Sequence, residues 1–150
     1  MVKSYRHMAY ALAASAGLVT SSGVTSGQDV SATSHMMYLD LQRRPDAFVG
    51  KPLSFAGKVI QSTTIGDSTI LRVNVTPGRY NSWQDTIYVD YKDPTPTHPE
   101  PIAEGDLVSV RGVYSGIKSY QSVTGDLIQV PSVRACLIRP GVSNIPECPP

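Results

Sequence analysis

Lys51–Gln61 reads KPLSFAGKVIQ. Leu53, Phe55, Val59 and Ile60 give it the apolar and β-branched side chains of a strand, and Gly57 stands in its middle. A glycine inside a strand weakens pairing and has no side chain to pack, so it marks a bulge or a corner. A first strand that bends at Gly57 and pairs on both sides of the bend is how a small barrel closes on itself. The rest of the chain reads outward from this stretch.

Downstream, Ile70–Thr76 alternates, with Leu71, Val73 and Val75 on one face and Ile70, Arg72, Asn74 and Thr76 on the other. Thr86–Tyr91 alternates in the same way, Ile87, Val89 and Tyr91 against Thr86, Tyr88 and Asp90. Leu107–Tyr114 is a fourth strand. A fifth covers part of Leu127–Ile138, where Pro131 marks an interruption or an edge position. Gly66-Asp67 supplies a turn, PGRYNSWQ a loop holding Tyr80 and Trp83, and Ser115–Asp126 a polar hairpin region holding Lys118 and Tyr120. Lys92–Pro101 has four prolines in ten residues and is predicted to be an extended surface connection.

Upstream, Ser34–Arg44 has helical spacing at Met37, Tyr38 and Leu41, a cap at Thr33 or Ser34, and Arg43 and Arg44 at the end where cations suit the helix dipole. Pro45 ends it, and PDAFVGK then turns with Phe48 pointing inward. A helix of about three turns can plug one end of a barrel. The predicted fold is therefore all-β: a five-stranded OB-fold barrel of Greek-key order with one short N-terminal helix. A sandwich would want about seven strands.

Taken together, FAGKVIQ, LRVNVT, WQDTIYVDY, EGDLVSVRGVYSG and SYQSVTG with VPSVRA resemble small bacterial OB-fold domains of the tRNA-anticodon-binding-like group. Domains of that group are often exported or lipid-anchored. The resemblance covers roughly Tyr38–Ile138. The chain departs from it in the proline-rich connection, where many such barrels carry a helix, and in its charge.

The first residues are organised differently. Lys3 and Arg6 precede the apolar run Met8–Val19, and the small polar stretch TSSGVTSGQD follows. This is the pattern of a secretory signal peptide, with the mature chain expected to begin near Gly27 or Gln28. The run is too short and too rich in small polar residues to span a bilayer, which takes about 20 apolar residues. The expected organisation is a signal peptide over 1–27, a disordered linker over 28–33, the barrel with its helix over 34–139, and a proline-rich tail over 140–150. The expected location is periplasmic or secreted. Of the 13 bases and 12 acids, only Lys3 and Arg6 lie in the leader, so the mature chain carries a formal charge of −1. Nucleic-acid binding draws on a basic surface, and this charge disfavours it. Cys136 and Cys148 are the two cysteines. In an exported chain they suggest one disulfide tying the tail to the last strand; in a cytosolic one they would be free thiols.

Little here points to catalysis. Past the leader the histidines are His35 at the helix start and His98 in the proline-rich stretch, a poor holder for the base of a nucleophile relay. His98-Pro99-Glu100 matches half of a zinc-deaminase signature, but Cys136 and Cys148 do not form its second half. A staphylococcal-type nuclease on this barrel would need clustered carboxylates with arginines. Glutamates stand only at 100, 104 and 147, none on a predicted strand, and Asp90 with Arg72 and Arg111 is more simply an ion-pair group. No enzyme activity, metal or cofactor is expected.

The outward face of the second and third strands is the usual OB binding surface. It would present Arg72, Asn74 and Tyr88 beside Asp90, with Tyr80 and Trp83 on the adjoining loop and Lys118 and Tyr120 on the four–five hairpin. Each aromatic could equally serve packing, Trp83 by capping the barrel end and Tyr88 by covering a cross-strand neighbour. As a group they are the candidate site. The expected function is an exported, non-enzymatic module binding a protein, peptide or glycan partner through this face. The alternative is a single-stranded nucleic-acid binder, since aromatics with cations also suit base stacking.

Overall fold

A computed structural model describes residues 27–92 and 101–148, with side chains from Ser34 onward. The expected signal peptide falls, but for Gly27, outside the described residues, as does most of the proline-rich connection. Helix α1 spans Gly27–Arg43 and α2 spans Pro45–Phe48. Five strands follow: β1 Pro52–Ile65, β2 Ser68–Pro77, β3 Trp83–Lys92, β4 Leu107–Gln121 and β5 Leu127–Pro140. They form one closed barrel in the order β1-β2-β3-β5-β4, with β3 and β5 parallel and every other pair antiparallel. This is the five-stranded OB-fold barrel read from the sequence.

β1 joins the two halves. Pro52–Lys58 pair with β4, and Lys58–Ile65 pair with β2. Lys58 is where the strand changes partner, and a register shift between Val59 and Gln61 bends it there. Gly57 stands just before that point because β2 passes too close for a side chain. A Cβ at Gly57 would fall inside contact distance of the Asn74 carbonyl oxygen and 2.6 Å from Val73 Cγ1. Gly112 has the same role on β4, where a Cβ would lie 2.8 Å from Ala135 Cα.

The inward residues of every strand meet in one core: Phe55 and Val59, Leu71, Val73 and Val75, Ile87 and Val89, Val110 and Tyr114, Val133 and Ile138. α1 closes one end by burying Tyr38 and Leu41 in this core, and the Tyr114 hydroxyl donates to the Leu41 carbonyl at 2.9 Å. Full burial of a side chain such as Leu41 contributes about 1.5–3 kcal/mol. Phe48 is half-buried against the same core, as expected.

β1 runs on to Ile65, β2 spans Ser68–Pro77 and β3 starts at Trp83, each longer than the sequence reading, and three further differences matter more. α1 begins at Gly27 rather than Ser34, so the segment expected to be a linker has helical backbone; Thr33 and Ser34 are able to cap a helix, but nothing in 27–33 forbids one. β4 continues past Tyr114 to Gln121, so most of the expected polar hairpin region is paired strand. Pro131 is buried within β5 opposite Ile117, and the ladder to β3 begins one residue later at Ser132. Its missing N–H therefore falls where β5 has β4 alone as a strand neighbour.

Candidate functional site

Alternation turns Arg72 of β2 and Tyr88 of β3 outward, because their neighbours Leu71, Val73, Ile87 and Val89 fill the core. The two are direct cross-strand partners. Over them leans the far end of β4, which carries Lys118 and Tyr120. Lys118 Nζ lies 5.1 Å from the centroid of the Tyr88 ring, and Arg72 Cζ lies 5.2 Å from that of Tyr120. Both distances are within the range of a cation–aromatic attraction, each contributing about 0.5–2 kcal/mol depending on desolvation. The pairs interleave: β2 supplies the cation for a β4 ring, and β4 supplies the cation for a β3 ring. Arg72 also donates to Gln61 Oε1 at 3.2 Å. Its Nε and the Tyr120 hydroxyl are buried without a hydrogen-bond partner among the described residues, an arrangement that is costly unless something completes it.

Of the seven residues expected at this site, Arg72, Tyr88, Lys118 and Tyr120 come together. Asn74 does not serve as a free recognition group. Its amide donates to the Trp83 carbonyl at 2.8 Å and accepts from the Thr86 hydroxyl at 2.7 Å, so it ties β2 to β3. Trp83 opens β3 opposite Pro77 and is half-buried. Tyr80 sits in a single 3₁₀ turn, Arg79–Asn81, with φ 56°, and is fully exposed. A bulky residue rarely holds a left-handed backbone, and here it projects the ring away from the barrel.

Arg134 of β5, which was not read from the sequence, points outward beside Asp90, and Lys58 of β1 points outward beside Asn74. A second cluster lies where α1 meets the barrel: Asp85 Oδ2 accepts from the Thr76 hydroxyl at 2.6 Å and faces His35 Nδ1 at 2.6 Å. Asp85 holds φ 62° within β3, a strained position. The carboxylate stands between hydroxyl and imidazole, whereas a nucleophile relay needs the imidazole in the middle. The trio is a tie between helix and barrel. Among the described residues no group of three or more His, Cys, Asp or Glu side chains could hold a metal ion. Cys136 and Cys148 are joined in a disulfide, Cα to Cα 5.8 Å.

No protein-family model matches the chain, and no curated protein matches it. Among solved structures it is similar to the small single-stranded DNA-binding protein of Streptomyces coelicolor, at 15% identity and a TM-score of 0.46, over 62% of this chain and 95% of that one. It is similar to the mitochondrial single-stranded DNA-binding protein Rim1 of S. cerevisiae, at 17% identity and a TM-score of 0.38, over 61% of this chain and 94% of that one. OBody NL8, solved bound to hen egg-white lysozyme, is 14% identical with a TM-score of 0.36, over 64% of this chain and 100% of that one.

The expectation of a protein, peptide or glycan partner, with nucleic acid disfavoured, is corrected. The electrostatic ground for that expectation does not hold at the face itself. A formal charge summed over the chain says nothing about where charges lie. Along the outer surface of β1, β2, β3 and β5, with the overhanging end of β4, stand Lys58, Arg72, Lys118 and Arg134, with Asp90 beside Arg134 and Asp85 held by Thr76 and His35.

Proposed function

We propose that this chain is a single-stranded nucleic-acid-binding OB domain whose site is the outer face of β2 and β3 beneath the β4–β5 hairpin. The interleaving of Arg72 over Tyr120 and Lys118 over Tyr88 carries the reading. It sets cations for phosphate oxygens beside ring surfaces on which bases stack, the pairing that sequence-tolerant single-strand binders use. Tyr80 and Trp83 extend the aromatic surface along the adjoining loop. Lys58 and Arg134 add charge on either side. The reading is of a binder and not an enzyme, supported by the order of the Thr76–Asp85–His35 contacts.

Fluorescence anisotropy with labelled oligothymidylate, oligouridylate and a duplex of equal length tests it. The expected result is tighter binding of the single strands, weakened about 5- to 150-fold when Tyr88 or Tyr120 is replaced by alanine, since a base–aromatic stack contributes about 1–3 kcal/mol. Equal affinity for duplex and single strand, or no binding, would contradict it.

Membership of the tRNA-anticodon-binding-like group, a bacterial origin and export belong to the same proposal. Export is supported by the charged, apolar and small-residue order of residues 1–27 and by a disulfide suited to an oxidising compartment. N-terminal sequencing of the mature protein would test it, with a start near Gly27 or Gln28 expected and an intact Met1 contradicting it.

A further inference from the structure

The chain after β5 does not leave the barrel. Gly141 N donates to the Leu107 carbonyl at 2.7 Å, and the Ser109 hydroxyl donates to the Gly141 carbonyl at 2.8 Å. Ser143 N donates back to that hydroxyl at 2.9 Å. The tail then crosses the outer side of β4 to Cys148, which the disulfide fixes to Cys136 of β5. On the way Glu147 pairs with the Arg111 guanidinium. The two partners are unequal: the Arg111 side chain is 17% exposed and that of Glu147 is 82% exposed. Arg111 Nε is buried with no hydrogen-bond partner among the described residues. Past Ser143, the disulfide and this ion pair fix the tail, and Ile145 between Ser143 and Glu147 is partly buried.

Beneath the tail the outer face of β4 and β5 is basic. Arg139 stands opposite Ser109, Arg111 opposite Leu137, and Arg134 opposite Val113, so the three guanidinium groups share two neighbouring strands within five residues of length. Arg134 and Arg139 are exposed, and among the described residues neither has an ion-pair partner. Arg134 is also the register partner of Asp90 on β3, two residues along from Tyr88. The arginine face therefore continues the first site around the barrel rather than lying apart from it.

We propose that Arg111, Arg134 and Arg139 form a second phosphate-contacting surface for the same single strand, which the disulfide-tied tail occupies by setting the Glu147 carboxylate on Arg111 where a phosphate would sit. The proposal rests on the nucleic-acid reading of the first site. A thiol reductant opens the surface. Two electrons and two protons from a dithiol break the Cys136–Cys148 bond and leave two thiols, and the dithiol becomes its own disulfide. The tail past Ser143 then keeps the Glu147–Arg111 ion pair without its cross-link, and a polyanion competes for Arg111 with the exposed Glu147 carboxylate.

The test is the salt dependence of binding to labelled oligothymidylate, for the oxidised protein and for the protein reduced with dithiothreitol. Each phosphate contact to a single strand steepens the slope of log affinity against log salt by about 0.7. The reduced protein is expected to bind more tightly and to show a slope steeper by about 0.7, the one contact that Glu147 blocks. Arg111→Gln should cancel that gain. Because reduction also removes a cross-link, Glu147→Gln is measured with the disulfide kept, and part of the same gain is expected there. If the oxidised protein binds, and neither reduction nor Glu147→Gln changes affinity or slope, the second surface is refuted and the first stands. If neither form binds oligothymidylate, the reading of the first site fails and this one falls with it.

Discussion

Cations lie over aromatic rings in two regions of this molecule, and they differ in how they are built. Near α2, Arg44 and Lys51 both sit over Phe48, 5.9 and 5.6 Å from its centroid. All three residues belong to one short stretch of chain, and Phe48 packs against the core. On the outer face, Arg72 reaches Tyr120 and Lys118 reaches Tyr88, joining β2, β3 and β4 across long sequence separations. The local cluster covers an apolar side chain that the barrel half-exposes, and the long charged side chains lie along it with their heads in water. The non-local cluster leaves two polar atoms buried and unpartnered, Arg72 Nε and the Tyr120 hydroxyl. The same pairwise attraction serves packing in one place and presents unfinished recognition groups in the other.

The largest expected effect removes the frame that both regions stand on. Gly57→Val places a branched side chain against the Asn74 carbonyl and Val73. It should cost about 3 kcal/mol or more, at or beyond the upper end of overpacking, read as a shift in the urea midpoint. An unchanged midpoint would show that β1 has room to move at its corner.

The next effect separates the two clusters. Arg72→Gln with Lys118→Gln should lower the salt slope of oligothymidylate binding by roughly 1.4, two contacts at about 0.7 each. Arg44→Gln with Lys51→Gln should leave that slope unchanged. A fall of equal size in both double variants would mean that binding follows total charge and not the outer face.

The smallest effect concerns pH. Burial raises the phenol of Tyr38 above its ordinary 10.0, with the Asp85 charge adding to the effect. Burial raises that of Tyr114 as well, with a smaller contribution from Asp46. A folded state that holds these protons more tightly than the unfolded chain gains stability that is fully present below pH 10 and lost as pH rises through the folded-state values. Urea unfolding at about pH 9 and about pH 11 should show this loss, and Tyr114→Phe should lose less across the same interval. An equal loss in the variant would remove Tyr114 from the account.

The sequence was legible where one rule acted on one strand. Alternation placed Leu71, Val73 and Val75 inside and Arg72 outside, and the Gly57 corner followed from a residue with no other reason to interrupt a strand. It was not legible where the path of β4 depends on its irregularities. Register shifts at Arg111/Gly112 and Tyr114/Gly116, with Gly116 at φ 101°, steer the far end of β4. Only that path brings Lys118 and Tyr120 over Tyr88 and Arg72. No periodicity encodes it, so Ser115–Asp126 read as a polar hairpin region near the face and not as paired strand. Charge misled for a related reason, because composition has no positions. Eleven bases and twelve acids past the leader do not tell that Lys58, Arg72, Lys118 and Arg134 share one side.

The most direct measurement is the proton spectrum of the tyrosine and tryptophan rings during titration with oligothymidylate. The account predicts that the ring signals of Tyr88 and Tyr120 shift first and furthest, with Tyr80 and the Trp83 indole following and the buried Tyr114 ring unmoved. Binding that leaves Tyr88 and Tyr120 unshifted would contradict the assignment of the site to this face.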